Sequence, residues 1–270
     1  MLKTSTITLV PVAGLCNRMN AITSGILYAQ NNPHVRLEIL WNKNRDCFAH
    51  FTDLFHQLED FPVKENRGWL NKPSTKRNLF LPSLLRMPFY DLTINDGSRR
   101  REAFDELVKG KRRIYVSSPN SFNQFMLRES VAEIFRPTEE LAGRIQAVTA
   151  LWNGNRVLGI HVRRTDNVQA IRMSPLENYY KAMEREIARC SDVCFYVASD
   201  DERVKKEIKD RYGSRIITSE LTLERDSTEG MKDAVVELYC LAHTDKILGS
   251  CHSTYTLMAS RLFSRTLEIV

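Results

Sequence analysis

The stretch Arg156-Val-Leu-Gly-Ile-His161-Val-Arg163-Arg164-Thr-Asp166 decides the fold of this chain. Its apolar run lacks polar alternation, a pattern typical of a strand buried on both faces of a parallel sheet. The run ends in an imidazole, a pair of guanidinium groups and a carboxylate. Ligands of open α/β sheets bind outside the carboxyl ends of the strands. We therefore expect a strand at 156–162 and a ligand at residues 161–166.

Strand and helix patterns alternate on both sides of this stretch, which predicts an α/β fold with parallel strands and right-handed crossovers. Residues 42–111, with prolines and scattered aromatic residues, predict loops and short helices. The predicted strands are 7–12, 35–41, 113–117, 156–162, 193–198, 215–218, 246–248 and 267–270. The predicted helices are 19–30, 127–135, 138–152, 175–190, 202–212, 232–242 and 254–263.

The length of the chain suggests a division into two domains. With 270 residues, 43% of them hydrophobic, it can form more than one modest core. The polar run Asn153-Gly154-Asn155 precedes the opening strand. We therefore predict domains at 1–152 and 153–270.

Charge and cysteine usage narrow the class of protein. A net charge of +6 suits nucleic acid, an anionic membrane surface or a nucleotide diphosphate, or simply a basic soluble surface. The six cysteines form no Cys-x-x-Cys pair, so we expect reduced thiols rather than a zinc site. The beginning of the chain lacks a signal-peptide pattern, and no apolar span has membrane length. We predict a cytoplasmic protein without a transmembrane segment, either free or peripheral to the membrane.

Polar turns follow three of the predicted strands, at 161–166, 199–201 and 250–254, and should line one crevice. Arg163 and Arg164 suit a diphosphate, because a guanidinium binds two oxygens and stays charged. Asp200 and Asp201 would instead accept from guanine or from sugar hydroxyls, although Asp201 could equally cap the next helix.

The remaining candidates also have two interpretations. Ser250, Ser253 and Thr254 surround a helix start, where hydroxyl and N–H groups either bind phosphate or cap the helix. His161 has no neighbour at zinc-ligand spacing and is either a ligand contact or a core histidine. In the first domain, Gly14, Asn17 and Arg18 begin a helix that either attracts an anion or follows an ordinary tight turn.

Several motifs of other enzyme classes do not occur in the sequence. There is no Gly-x-x-x-x-Gly-Lys-Ser/Thr phosphate loop, no Gly-x-Gly-x-x-Gly fingerprint and no Gly-x-Ser-x-Gly elbow. P-loop kinases, the commonest dehydrogenases and serine hydrolases are therefore not leading candidates.

The polar turns resemble motifs of the fucosyltransferases that share a His-x-Arg-Arg-x-Asp element, a group including the nodulation, core α1,6-, α1,2- and protein O-fucosyltransferases. The matching motifs are Gly159-Ile-His161-Val-Arg163-Arg164-Thr-Asp166, Tyr196-Val-Ala-Ser-Asp200-Asp201, the segment from Asp233 through Glu237 to Ser253, and, more loosely, Gly14-Leu-Cys-Asn17-Arg18. This resemblance implies a GT-B fold of two Rossmann-like domains with a cleft between them. The first domain would bind the acceptor and the second GDP-fucose.

The resemblance also implies roles for individual residues. Arg163 would grip the β-phosphate and stabilise the departing GDP, and Ser253 would contact a phosphate. His161 and Glu237 would contact the nucleotide, Glu237 at the position where a family aspartate reads guanine. Asp166 would orient Arg164 or its loop at the catalytic end of the motif.

One departure concerns the catalytic base. In the core α1,6 enzymes a glutamate a few residues beyond the aspartate of the first motif is thought to act on the acceptor hydroxyl, but residues 167–172 contain no acid. The base is therefore unassigned, with Asp46 and Asp53 as further candidates, and the linkage stays open.

The resemblance therefore implies an inverting, metal-independent transfer of fucose from GDP-fucose to a glycan hydroxyl, without a cofactor. An alternative is a transferase that uses another nucleotide sugar such as GDP-mannose. A further alternative is a basic nucleic-acid-binding protein, whose affinity would fall steeply with salt. The basic runs lack aromatic residues, and we therefore expect no nucleic-acid partner.

Overall fold

The computed structural model of the chain describes residues 4–65, 86–125, 131–165, 168–219 and 226–270. By its internal contacts the chain forms two compact units. The first comprises Met1–Thr138 and Glu224–Lys232, and the second comprises Glu139–Leu223 and Asp233–Val270. The helix at Glu139–Thr149 therefore belongs to the second unit, whereas the predicted division at 152/153 assigned it to the first.

The first unit contains a parallel sheet in the order β3-β2-β1-β5-β4. Its strands are β1 Ser5–Pro11, β2 Val35–Trp41, β3 Val63–Glu65, β4 Leu92–Ile94 and β5 Arg113–Ser118. The helices described between these strands are α1 Leu15–Asn31 and the short α2 Phe104–Val108. Leu9 and Ile39 on the sheet and Met19 on α1 are fully buried, so the apolar face of the helix covers the sheet as its periodicity predicts.

The second unit contains a parallel sheet in the order β10-β9-β6-β7-β8. Its strands are β6 Val157–Val162, β7 Cys194–Ser199, β8 Ile216–Ile217, β9 Lys246–Gly249 and β10 Thr266–Ile269. The helices of this part of the chain are α3 Glu139–Thr149, α4 Val168–Met173, α5 Leu176–Arg189, α6 Glu202–Tyr212, α7 Thr228–His243 and α8 Thr254–Leu262.

Strand β6 lies at the centre of this second sheet, and all of its residues are buried. Leu158, Ile160 and Val162 face the core beneath α5 and α6. On the other face, Gly159 packs under Leu241 of α7. The predicted doubly covered strand is confirmed.

The sequence interpretation differs from the structure in two places. Residues 131–135, the described part of the helix predicted at 127–135, form turns, and Phe135 packs against Phe55 instead. The remainder of that predicted helix, 127–130, lies outside the described residues. Strands β3 and β4, which lie within 42–111, were not predicted, because a strand of three residues is too short to show a period.

Gly159 offers a test of the packing at the centre of the second sheet. A Cβ there would lie 2.6 Å from Leu241 Cδ1 and 2.7 Å from Thr244 Oγ1. We expect Gly159→Ala to lower the free energy of unfolding by about 1–3 kcal/mol, because the buried helix must shift. Thermal and denaturant unfolding would measure this loss.

The matched control is Gly143→Ala on α3, where an added Cβ meets nothing within 4 Å. This substitution should stabilise the protein by about 0.5–1 kcal/mol, since alanine loses less backbone entropy in a helix. A Gly159→Ala variant as stable as the Gly143→Ala variant would contradict the close packing.

Candidate functional site

The carboxyl ends of β6, β7 and β9 lie side by side at one edge of the second sheet. His161 is paired with Ala198 of β7 and with Gly249 of β9. The chain therefore leaves all three strands at the same level, and the backbone N–H of Ser250 donates to the His161 carbonyl at 3.2 Å. The structure thus brings together the three turns that the sequence predicted to meet.

Buried hydroxyl groups hold the backbone of Arg163. Its N–H donates to Ser250 Oγ at 2.9 Å, and the Tyr179 hydroxyl lies 2.7 Å from the same oxygen. Tyr179 also donates to the His161 carbonyl at 3.0 Å. Tyr179 and Ser250 are fully buried, and burial raises the pKa of Tyr179 to about 12. The Ser250 hydroxyl therefore positions the chain that carries Arg163, and its contact with a ligand stays a prediction.

Asp200 ties the turn after β7 to the turn after β6. Its carboxylate accepts from the Arg164 N–H at 2.7 Å and from the Thr165 hydroxyl at 2.6 Å. The Arg164 side chain turns back to donate to the carbonyls of Arg163 and Ser174 at 3.2 Å and 2.9 Å. Asp200 and Arg164 therefore stabilise the loop around Arg163.

Asp201 and Ser253 cap the helices that begin at this edge. Asp201 Oδ1 accepts from the Arg203 N–H at 2.9 Å at the start of α6. Ser253 Oγ accepts from the Thr256 N–H at 3.3 Å at the start of α8, whose first residue is Thr254. For both residues the structure shows the capping alternative. Each oxygen keeps a further lone pair toward the helix end.

His161 is held from the α8 side of the sheet. Its Nδ1 lies 2.6 Å from Thr256 Oγ1, and its ring stacks on Tyr255 with centroids 4.9 Å apart. Gly249 makes this approach possible, because a Cβ on it would lie 2.0 Å from Thr256 Cγ2. The imidazole is thus buried with a fixed ring plane.

Glu237 and Lys205 form a buried ion pair between α7 and α6. Glu237 Oε1 lies 3.3 Å from Lys205 Nζ, and the side chains are 3% and 4% exposed. Burial raises the pKa of Glu237 to about 7, and the charge of Lys205 opposes that rise. A carboxylate that stays partly ionised while buried is a suitable acceptor for paired N–H donors.

The first unit has its own turn at the end of β1. The left-handed residue of this turn is Ala13, with φ of 67°, while Gly14 is extended and caps α1. Asn17 donates to the Pro119 carbonyl at 2.8 Å. The predicted close approach at Gly14 therefore does not depend on a left-handed glycine.

Arg18 has a different role from the predicted anion donor. Its guanidinium is completely buried and lies 4.7 Å from the centre of the Trp41 ring. It donates to the carbonyls of Ala13 and Asn42 at 2.7 Å and 2.6 Å. It also donates to the Asn44 side chain at 2.6 Å, so Arg18 organises the loop after β2 instead.

Asp166 lies outside the described residues, and its predicted catalytic role stays a prediction. Of the other two candidate bases, Asp53 accepts from the His50 N–H at 2.8 Å in a local cap.

Within the described residues, no His, Cys, Asp and Glu side chains group closely enough to hold a metal ion. No helix in the described ranges combines the length and apolarity needed to cross a membrane.

Tyr179, Thr256 and Lys205 are site residues that sequence reasoning missed. A signal existed for two of them, because buried positions recur three or four residues apart on a helix. Tyr179 precedes the buried Met183 by four residues, and Lys205 precedes the buried Ile208 by three. A polar group on such a stripe needs a buried partner. Nothing local marked Thr256.

No profile of a known protein family and no curated protein sequence matches the chain. Solved structures do share its fold, among them that of the fucosyltransferase NodZ from Bradyrhizobium. NodZ α-1,6-fucosyltransferase soaked with GDP-fucose is 20% identical, with a TM-score of 0.66 over 97% of this chain and 93% of that one.

Two other fucosyltransferase structures are also similar. A variant of FUT1 from Arabidopsis thaliana in complex with GDP is 17% identical, with a TM-score of 0.63 over 98% of this chain and 70% of that one. POFUT1 in its apo form is 11% identical, with a TM-score of 0.54 over 99% and 98% of the two chains. The likeness and the two parallel sheets confirm the predicted fold class, the Rossmann-like α/β architecture of GT-B proteins.

The hydroxyl network under Arg163 predicts the effect of removing Tyr179 Oη. Tyr179→Phe should lower the free energy of unfolding by about 1–3 kcal/mol, because buried hydrogen-bonding groups lose a partner. Chemical denaturation would measure the change.

The neighbouring Tyr180→Phe is the matched control. The Tyr180 hydroxyl donates at 2.6 Å to Glu207, which lies on the exposed side of α6. Its removal should cost less than about 1 kcal/mol, because water replaces the lost bond. Equal losses in the free energy of unfolding for both variants would show that the buried network stabilises the protein no more than the exposed hydrogen bond does.

Proposed function

We propose that the chain is a glycosyltransferase that moves fucose from GDP-fucose to a glycan hydroxyl, with inversion at the sugar carbon. The second unit binds the donor and the first binds the acceptor. The observation that carries the proposal is the edge where β6, β7 and β9 end, because it presents Arg163 on a backbone fixed by buried groups. The shared fold with fucosyltransferases, one of them soaked with GDP-fucose, supports the same assignment.

Arg163 is proposed to bind the β-phosphate of the donor. Transfer of the sugar leaves GDP with a growing negative charge on its diphosphate. A guanidinium that is already in place stabilises this charge without reorganising, as a metal ion would. The N–H groups at the start of α8, beside Ser253 and Thr254, add to the same stabilisation. We therefore propose that the reaction needs neither a metal ion nor a cofactor.

Glu237 and His161 are proposed to contact the nucleotide. Guanine presents two donors side by side, N1–H and the exocyclic amine, and an ionised carboxylate can accept from both. Asp200 and Asp201 keep lone pairs beyond their loop and cap bonds and remain candidates for sugar hydroxyls. Within the first unit, Gly14 and Asn17 are the proposed substrate contacts.

The acceptor side of the reaction has no assigned base. Asp166 ends the first motif, and Asp46 is the other candidate besides the capping Asp53. We propose Asp166 as the residue that orients the Arg164 loop. The linkage formed is left open, because the residues after Asp166 lack the glutamate of the core α1,6 enzymes. The six cysteines are thiols rather than disulfides, which supports the cytoplasm as the compartment.

Substitution of Arg163 tests the catalytic assignment. Arg163→Ala should lower the rate of transfer by at least about 100-fold, because the charge on the departing GDP loses its preorganised donor. The fold should persist, since the hydroxyl network holds the Arg163 backbone rather than its side chain. Fucose transfer from radiolabelled GDP-fucose to a mixture of glycans would measure the rate.

The matched control is Arg189→Ala at the other end of the unit. Arg189 is 63% exposed at the carboxyl end of α5, where it pairs with Glu186. Its removal should leave transfer unchanged. Near-normal transfer by the Arg163→Ala protein would refute the assignment.

The identity of the nucleotide sugar is tested by ligand-induced thermal stabilisation. GDP should raise the melting temperature more than UDP or ADP, because ligand binding to the folded state shifts unfolding by mass action. GDP-fucose compared with GDP-mannose then separates the proposal from its closest alternative. A preference for uridine compounds would contradict the proposed guanine contact of Glu237.

A further inference from the structure

Lys205 and Glu237 are opposite charges that the fold has removed from water. Lys205 lies on α6 and Glu237 on α7, and both side chains are at most 4% exposed. Burying an isolated charge costs several kcal/mol, so such a pair is often no more stable than an apolar one. Its presence therefore calls for a use beyond stability.

The carboxylate of Glu237 retains accepting capacity. Its Oε1 is 3.3 Å from Lys205 Nζ, yet no described group makes a well-aligned hydrogen bond to this oxygen. Lys205 Nζ is also 2.9 Å from Glu202 Oε1, on the exposed side of α6. The lysine thus bridges two carboxylates, and the buried one still has a lone pair to offer.

The groups that face Glu237 explain how its charge is set. Besides Lys205, they are the carboxylates of Glu202 and Asp200, the Tyr196 hydroxyl on β7 and the Cys240 thiol on α7. Among these facing groups, Lys205 is the cation. Burial and the two carboxylates favour protonation of Glu237, and Lys205 opposes it. Burial also lowers the pKa of Lys205, but the neighbouring carboxylates raise it overall, so the lysine stays charged.

We propose that Lys205 is a positioning residue that keeps Glu237 ionised and aimed at the guanine of the donor, so that GDP affinity falls when Glu237 takes up a proton. The inference rests on the proposed function. A protonated carboxyl carries an O–H donor and would meet the two donors of guanine with one acceptor fewer. Loss of the lysine charge should have the same effect as acid.

The sign of the pH dependence follows from the raised pKa of Glu237, about 7. Above that pH the group is the carboxylate that accepts from guanine, and below it the neutral acid predominates. GDP should therefore bind about 10-fold more weakly one pH unit below this value than well above it. Ionisation of the GDP phosphate also changes the GDP affinity with pH. A Glu237→Gln protein measures this contribution by itself, because its residue 237 does not titrate.

Calorimetric titration with GDP between pH 6 and pH 8.5 tests the proposal. Lys205→Met should bind GDP about 10-fold more weakly than the wild type at pH 7, with the gap closing toward pH 8.5 as Glu237 ionises. Lys205→Arg, which keeps the charge, should restore most of the affinity. The matched control is Lys206→Met, the next residue on α6, whose exposed side chain pairs with Asp210. It should behave as the wild type.

Two outcomes would overturn the inference. One is a Lys205→Met protein with the affinity and pH profile of the wild type. The other is a pH profile shared by the wild type and Glu237→Gln. If circular dichroism shows that Lys205→Met does not fold, Lys205→Gln, which keeps a donor without the charge, replaces it in the same comparison. A different result would contradict the proposed function itself: a wild-type protein that binds UDP as well as it binds GDP.

Discussion

The hydrogen bond from the Arg163 backbone to Ser250 Oγ is the contact around which the second unit is arranged. It joins the chain leaving β6 to the chain leaving β9, just beyond the last paired residues, His161 and Gly249. Tyr179, from the helix beneath, completes the arrangement through the same oxygen. Since Ser250 and Tyr179 are both fully buried, buried hydroxyl groups rather than surface ion pairs hold the backbone of Arg163. The backbone that carries the Arg163 guanidinium is therefore in place before any anion binds.

The acidic residues around this loop divide into two kinds by exposure. Asp200 and Asp201 use their carboxylates on backbone N–H groups, where a charged acceptor makes a strong hydrogen bond. Glu237 lies inside and faces a single buried ammonium group instead. The first kind orders loops and helix starts. The second kind keeps an oxygen available, and Lys205 is the facing cation that opposes its protonation, which is why we propose that GDP binding depends on pH near neutrality.

Much of this arrangement was predictable because parallel strands obey strict rules. An apolar run such as 157–160 must be covered on both faces, and the turns after parallel strands must open on one edge. From the sequence alone, those rules predicted that Arg163, Asp200 and Ser253 lie close together. The buried contacts of Ser250 and Arg18 could not be predicted, because both are polar residues next to turns, and sequence position alone does not tell a buried polar group from an exposed one.

The amino-acid sequence by itself determined the α/β class, the succession of the major strands along the chain and the edge at which the polar turns meet, because hydrophobic periodicity is a local property. Tertiary structure alone decided which of those polar groups are buried and which hydrogen-bond partners they have. Tyr179 reaches Ser250 across 71 positions of the chain, and His161 reaches Thr256 across 95. Hydrogen bonds of that kind depend on how helices pack on the sheet, and glycines such as Gly249 set the distance of that packing. The separate roles of Arg163, the proposed diphosphate ligand, and Ser250, whose hydroxyl holds the Arg163 backbone, are therefore a property of the fold.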